Sequence, residues 1–287
     1  MYTAKIENSN GEILTLTQNE PKWQIVSITG LDQPPAQVNL TSIAGLDGSK
    51  FNSAKLDTRN LVITLKLNGE VEKNRLELYR FFRTKDICTF YYKTASLDVY
   101  IKGYVETVEC VLFSESETMQ VSIICPFPYF ASINEVVADI SNRVAGFTFP
   151  FSINYDEPIA FSTFVINRVT DVFNSSGAET GLTIEVDVLD DSVEDIKIQN
   201  TVSGEFIEVK YNFAAGDKVI ISTVKGQKGI HLIRDGEESN IFGALQAGST
   251  FVQLGVGDNY FGYSIDAGEN DDQVYITFRY YNLYRGV

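Results

Sequence analysis

The side chains that most often carry chemistry are sparse in this 287-residue sequence, and they do not gather into a reactive set. His231 is the single histidine and lies in Gly229-Ile230-His231-Leu232-Ile233, a strand-like run. A hydrolase built on it would need a nucleophile elbow of the G-x-S-x-G kind, which is missing. One histidine also cannot supply the usual histidine-rich metal sites. Cys88, Cys110 and Cys125 are odd in number and their spacing fits no zinc knuckle. Their apolar, strand-like surroundings read as buried thiols in a chain made in a reducing compartment. Carboxylates cluster at Asp187, Asp190, Asp191, Glu194 and Asp195, at Glu237-Glu238 and at Asp271-Asp272. The D-x-[DN]-x-[DN]-G spacing of a calcium loop is absent, so these read as solvated turns. Gly255-Val256-Gly257-Asp258 lacks the Lys-Ser/Thr of a phosphate-binding loop and reads as a hairpin turn. Arg75, Arg80, Arg83 and Lys85 lie at the end of a helical stretch, where cations complement the helix dipole. The expectation is a chain that is not an enzyme and needs no cofactor or metal. Sugar binding remains a competing reading, with Tyr260, Phe261 and Tyr263 as the nearest aromatic platform.

The elements that would position any site are mostly strands. Phe, Tyr, Val, Ile and Thr, which fit pleated half-buried surfaces, are abundant, whereas helical runs are scarce. The net charge of −15 is uneven. Residues 1–130 hold 13 Lys+Arg against 15 Asp+Glu, and residues 131–287 hold 10 against 23. The acidic second half would repel phosphate backbones, so no nucleic-acid binding is expected of it. The nearly neutral first half suits packing against copies of itself. The opening MYTAKIENSNGEILTL has no apolar signal core, and no window reaches the ~18 apolar residues needed to cross a bilayer. A soluble chain without membrane insertion is the expectation.

Taken in order, Tyr2–Ile6 and Glu12–Thr17 flank an Asn-Gly hairpin signal, and Trp23–Thr29 is a third strand. Asn60–Leu67 alternates strongly. Glu70–Thr84 is the clearest helix, with Val71, Leu78 and Phe82 on one stripe beside Tyr79, and a Lys73–Glu77 pair on the wet face. Cys88–Lys93, Val99–Tyr104, Val105–Phe113 and Thr118–Cys125 follow as strands. Cys125-Pro126-Phe127-Pro128 then interrupts sheet pairing and marks a boundary. Beyond it, ten short strand-like runs include Gly146–Ile153, Phe161–Asn167, Leu182–Val188, Ile196–Asn200, Glu205–Tyr211, Lys218–Ser222 and Gln273–Tyr281. Separated by regular turns, they read as a β-sandwich. The predicted fold is mainly β: a β-rich α+β domain with one helix over 1–130, then a β-sandwich over 131–287.

Between the third and fourth strands, Gly45 to Arg59 reads as a wet loop rich in turn residues, with Phe51 as its only aromatic. A lone aromatic there is either tucked into its own core or anchored in a neighbour.

Together these stretches resemble the distal tail protein family of long-tailed bacteriophages and related prophages. The carrying residues are Ser42-Ile43-Ala44-Gly45-Leu46-Asp47-Gly48-Ser49-Lys50-Phe51-Asn52-Ser53 and Arg59-Asn60. With them go Asn74-Arg75, Leu78-Tyr79-Arg80-Phe81-Phe82, Val99–Glu106, Met119–Pro126 and the terminal Tyr280–Val287. The resemblance is strongest over 1–130. It implies a homohexameric ring at the tail tip, formed by the first domain and joining the tail tube protein to the tail-tip hub protein. A galectin-like second domain would project outward, with receptor-binding proteins at the side in some members. Such a chain would be made in the host bacterial cytoplasm and end in the virion. Phe51, Lys55 and Arg59 are the candidate ring contacts. The galectin His-Asn-Pro-Arg and Trp-Glu-x-Arg elements are absent, so the fold name does not carry sugar binding with it.

Overall fold

Alternation along the strands builds both cores. In the strand Arg59–Leu67, the residues Leu61, Ile63, Leu65 and Leu67 are buried, while the intervening positions are exposed or half-buried. The structure is a computed structural model and describes residues 2–45, 47–114, 116–139, 141–145, 162–166, 169–189, 192–266 and 274–287, the stretches 141–145 and 162–166 by backbone alone. The expected strand Gly146–Ile153 lies outside these residues, as do Asp190, Asp191, Asp271 and Asp272 of the acidic clusters.

The chain divides into two units, Met1–Ile133 with Leu283–Val287, and Asn134–Asn282. The first contains β1 (Thr3–Glu7), β2 (Ile13–Leu16), β3 (Trp23–Thr29), β4 (Ala36–Ser42), β5 (Ser49–Leu56), β6 (Arg59–Leu67), α1 (Val71–Phe81), β7 (Ile87–Lys93), β8 (Asp98–Val111), β9 (Thr118–Cys125) and β10 (Phe130–Ser132). The second runs through β11 (Val136–Asp139), β12 (Ser141–Ala145), β13 (Ser162–Ile166), β14 (Val169–Asn174), β15 (Thr180–Gly181), β16 (Thr183–Val188) and β17 (Val193–Asn200). It continues with β18 (Phe206–Phe213), β19 (Lys218–Ser222), β20 (Gly229–Arg234), β21 (Glu237–Asn240), β22 (Gln253–Leu254), β23 (Gly257–Asp266) and β24 (Val274–Tyr280). The last strand, β25 (Leu283–Tyr284), returns to the first unit and pairs with β10.

In the first unit an antiparallel sheet runs β2-β1-β7-β8-β9-β6-β3, with β10 also on β8. Ile6, Phe90 and Ile101 form one buried cross-strand row, and Leu61, Ile123 and Val105 another. Helix α1 adds Leu78, and Phe82 just beyond it, to this core. Its polar pairing differs from expectation. Lys73 bonds Glu70 one turn back at 2.8 Å, and Glu77 is taken by Lys22 at 2.8 Å. Glu70 precedes the helix without a side-chain cap, which leaves its carboxylate free to swing to Lys73. Asn74 is buried on the inner stripe, its amide donating to the carbonyls of Asn68 and Lys22. The stretches Val99–Tyr104 and Val105–Phe113 are one strand, β8, with a register shift between Val105 and Thr107. The extra residue of a bulge breaks the period-two pattern and makes one strand look like two.

In the second unit a six-stranded sheet, β11-β24-β16-β19-β20-β21, shares one core with the four-stranded sheet β14-β23-β17-β18. Phe278, Ile184, Ile221 and Ile230 form a buried row across the first. Phe261 of the second meets Phe278 at 5.0 Å between ring centroids. This is the sandwich the alternation predicts, with β11, β14 and β21 added where short or polar strands gave no clear period.

Candidate assembly surface

The stretch expected to be a loop is half of a ribbon. β5 pairs antiparallel with β4 and, among the described residues, with no other strand, so the two form an arm of their own. Gly45 and Gly48, between the two strands, sit at φ of +83° and +89°. Ala36–Leu56, Val38–Ala54, Leu40–Phe51 and Ser42–Ser49 face one another on one side. Gln37–Lys55, Asn39–Ser53 and Thr41–Lys50 face one another on the other. Asn52 is the extra residue of a bulge, which hides the alternation in the sequence.

The arm is therefore amphipathic. Its polar side is tied by side chains: Asn39 Nδ2 donates to Ser53 Oγ at 3.0 Å, and Asn52 Nδ2 to Thr41 Oγ1 at 2.6 Å. Gln37 Nε2 donates to the Asp57 carboxylate at 2.8 Å, near the base. The backbone N–H of Thr58 and this amide hold the Asp57 carboxyl below its ordinary range. The apolar side has no cover. Phe51 is 59% exposed, Leu40 57% and Val38 51%. A lone two-stranded ribbon is marginal in water, and an exposed apolar strip on one is a candidate contact surface.

Of the three candidate contacts, the structure separates all three. Phe51 sits on the apolar side, paired with Leu40. Lys55 sits on the polar side, paired with Gln37. Arg59 is not on the surface: it is 1% exposed, inside the first unit. Its Nε donates to the Pro128 carbonyl at 2.9 Å, and its two terminal nitrogens to the carbonyls of Gly30, Asp32 and Arg285. The guanidinium lies over the Phe130 ring at 4.6 Å. Burial pushes its pKa down, countered by Cys125 and Asp32. A planar fork of five donors suits four backbone acceptors from remote segments, which a lysine could not span. Arg59 thus fixes the strand leading to the arm, the chain beyond β9 and the returning tail at one point. Gly30 is needed there, because a Cβ would meet the Asn60 carbonyl oxygen at 2.1 Å.

The remaining reactive types have structural surroundings. Cys88 and Cys125 flank Gly103, whose added Cβ would meet Cys125 Sγ at 2.8 Å. Burial raises both thiols to about 12. His231 Nδ1 lies 2.8 Å from Glu238 across β20 and β21. Among the described residues no three acidic, histidine or cysteine side chains are grouped to share a metal. Of the aromatic platform, Phe261 is fully buried and Tyr263 packs against the core, so Tyr260 alone faces outward. Sequence reasoning missed Val38 and Leu40 as partners of Phe51, although their i, i+2 spacing was the available signal.

Comparison with known proteins bears on this geometry. Residues 175–282 match the family model described as siphovirus-type tail component, C-terminal domain. A search of curated protein sequences finds no match. Among solved structures, the Dit (gp 19.1) protein of phage SPP1 is 16% identical, with 98% of each chain covered and a TM-score of 0.69. Its published description is "a Paradigm of Hub Adsorption Apparatus in Gram-positive Infecting Phages". The phage P2 baseplate in its activated conformation with Ca matches over all of both chains at 12% identity and a TM-score of 0.53. The same baseplate with Sr matches at 13% and 0.52. Residues 175–282 thus carry the pattern of a siphovirus-type tail component's C-terminal domain, and the chain from end to end has the fold of SPP1 Dit, a phage distal tail protein.

Proposed function

We propose that this protein is a structural component of a phage tail tip or baseplate, a distal tail protein that forms a ring of six copies between the tail tube and the tail-tip hub. The observation that carries the reading is the likeness to SPP1 Dit over 98% of both chains, reinforced by the tail-component match in the second unit. The uncovered arm supports self-assembly. Closed rotational symmetry satisfies a repeated head-to-tail contact without leaving unpaired surfaces. In this reading the Val38, Leu40 and Phe51 side of the arm lies on the next copy. Lys55 makes a lesser polar contact from the other side, and Arg59 holds the base of the arm from within. The tail tube protein lies above the ring and the hub protein below, with receptor-binding proteins at the side. The role is architectural rather than catalytic, in the virion after synthesis in the host cytoplasm.

Co-expression with the tube and hub proteins, followed by affinity capture through this chain, tests the placement. Recovery of both neighbours in one particle is expected. Recovery of neither, from a soluble folded chain, would remove the proposal.

A further inference from the structure

The arm stands on two legs that are held differently. One is the start of β6, where Arg59 is buried. The other is residues 30–35, which lead from β3 into β4 and lie in no strand. Backbone outside a sheet must find its hydrogen-bond partners elsewhere. The carbonyls of Gly30 and Asp32 accept from Arg59, and the Pro35 carbonyl accepts from the N–H of Asp57 at 2.8 Å. Between them, the Leu31 carbonyl accepts from the N–H of Val287 at 3.0 Å. Gly286 lies close against the same stretch: a Cβ there would meet the Asp32 carbonyl carbon at 3.2 Å and the Gln33 nitrogen at 3.3 Å. The Arg285 carbonyl joins the contact by accepting from Arg59 Nη2. Arg285, Gly286 and Val287 in succession therefore grip one leg of the arm.

The grip is itself anchored. Leu283 and Tyr284 pair with Ala131 and Phe130 of β10. Leu283 is buried, and Tyr284 and Val287 pack against the first unit's core. By its contacts the segment belongs to the first unit, yet in sequence it follows the whole of the second. Domains of a growing chain fold as units, the N-terminal one first. β3 and β6, which flank the arm in sequence, and β9 beside β6 are complete by Cys125. The residues that hold 30–35 arrive only after Asn282. Until then Arg59 lacks one acceptor and Leu31 its donor, and a ribbon that is marginal by itself swings on a loose leg. A loose arm must give up that freedom when it docks, which weakens the contact; a held arm has given it up already.

We propose that Leu283–Val287 is a strap that sets the arm for ring contact, so that a copy joins its neighbours only after the chain has been made and folded past its second unit. The proposal rests on the reading of the arm as the self-assembly surface. Two variants of the full chain test it. One stops after Asn282. The other, Gly286→Val with Val287→Pro, sets a branched side chain against the leg and removes the N–H that meets Leu31, while leaving the residues of β25 in place. Hydrogen exchange read by mass spectrometry on dilute protein follows the arm, and mass photometry across concentrations follows assembly. In both variants the amides of residues 36–56 should exchange about tenfold faster, while those of β6 and β9 keep the parent's rates. The concentration for half-assembly should rise about tenfold as well. Arm exchange at the parent's rate in the double variant would overturn the strap, and so would assembly of either variant at the parent's concentration. Faster exchange of β6 and β9 in the shortened chain would mark a loosened core, and the double variant then decides. A parent that never assembles would remove the ring reading instead, and the arm's exchange would still decide whether the strap holds it.

Discussion

Arg59 shows how one side chain can serve a surface from inside. Its guanidinium is buried, and among the described residues no carboxylate is bonded to it and four backbone carbonyls accept from no other side chain. Arg59→Met would leave those acceptors without donors, at a loss on the order of 3 kcal/mol. Arg59→Lys should recover little of this, because one ammonium cannot reach carbonyls set around a planar fork. Urea midpoints of the three proteins measure the difference; a shift worth less than about 1 kcal/mol in Arg59→Met would show that the clamp is dispensable. The thiols give a second prediction at this scale. Cys88 and Cys125 are held protonated by burial, with values of about 12. A thiol-specific reagent should find at most one fast site in the native protein, the half-buried Cys110, and three after denaturation. The raised folded values mean that the folded state binds the extra protons. Their contribution is complete below the unfolded thiol value of about 8.5 and is lost as pH climbs toward 12. Unfolding midpoints that stay flat from pH 8 to 11 would contradict this.

At the scale of elements, the arm of β4 and β5 carries the strongest consequence. Phe51→Ala should leave the melting temperature of the isolated chain nearly unchanged, since the ring is 59% exposed and touches no core. It should weaken assembly by on the order of 2 kcal/mol at each contact. Leu40→Ala should act in the same direction, and Lys55→Ala, on the other side of the ribbon, much less. Mass photometry across concentrations reads the assembled fraction. A fall in melting temperature together with assembly would instead place Phe51 in its own core. The arm is also where sequence reading fell short. Strand β6 was legible because Leu61, Ile63, Leu65 and Leu67 alternate without interruption. β5 was not, because Asn52 bulges out of register and both sides of the ribbon are exposed, so burial imposes no pattern. The role of Arg59 was illegible for a related reason: all its partners are backbone carbonyls, which no residue type announces. Tyr260, Phe261 and Tyr263 could be grouped only as one platform in the sequence, because the strand's faces separate the exposed Tyr260 from the buried Phe261.

For the whole molecule, the mainly β architecture, with a single α-helix among the described residues, followed from turn spacing and from the stripe of Leu78 and Phe82. The return of Leu283–Val287 to the first unit did not, because β25 is two residues long and pairs with β10, a strand distant in sequence. The second unit has its own core, from Val172 to Tyr280. A fragment of residues 134–282 should therefore fold alone, with a cooperative melt and strand-rich circular dichroism; an unfolded fragment would show that its stability depends on the first unit. In the proposed reading, self-assembly falls to the arm of the first unit. The claim on which the functional account rests is the ring. Class averages of the purified chain by electron microscopy, alone and with its tube and hub neighbours, test it most directly. The account predicts a closed six-fold ring whose mass is six times the 32.0 kDa chain, and which Phe51→Ala depletes. A folded chain that stays monomeric at high concentration and with both neighbours present would contradict it.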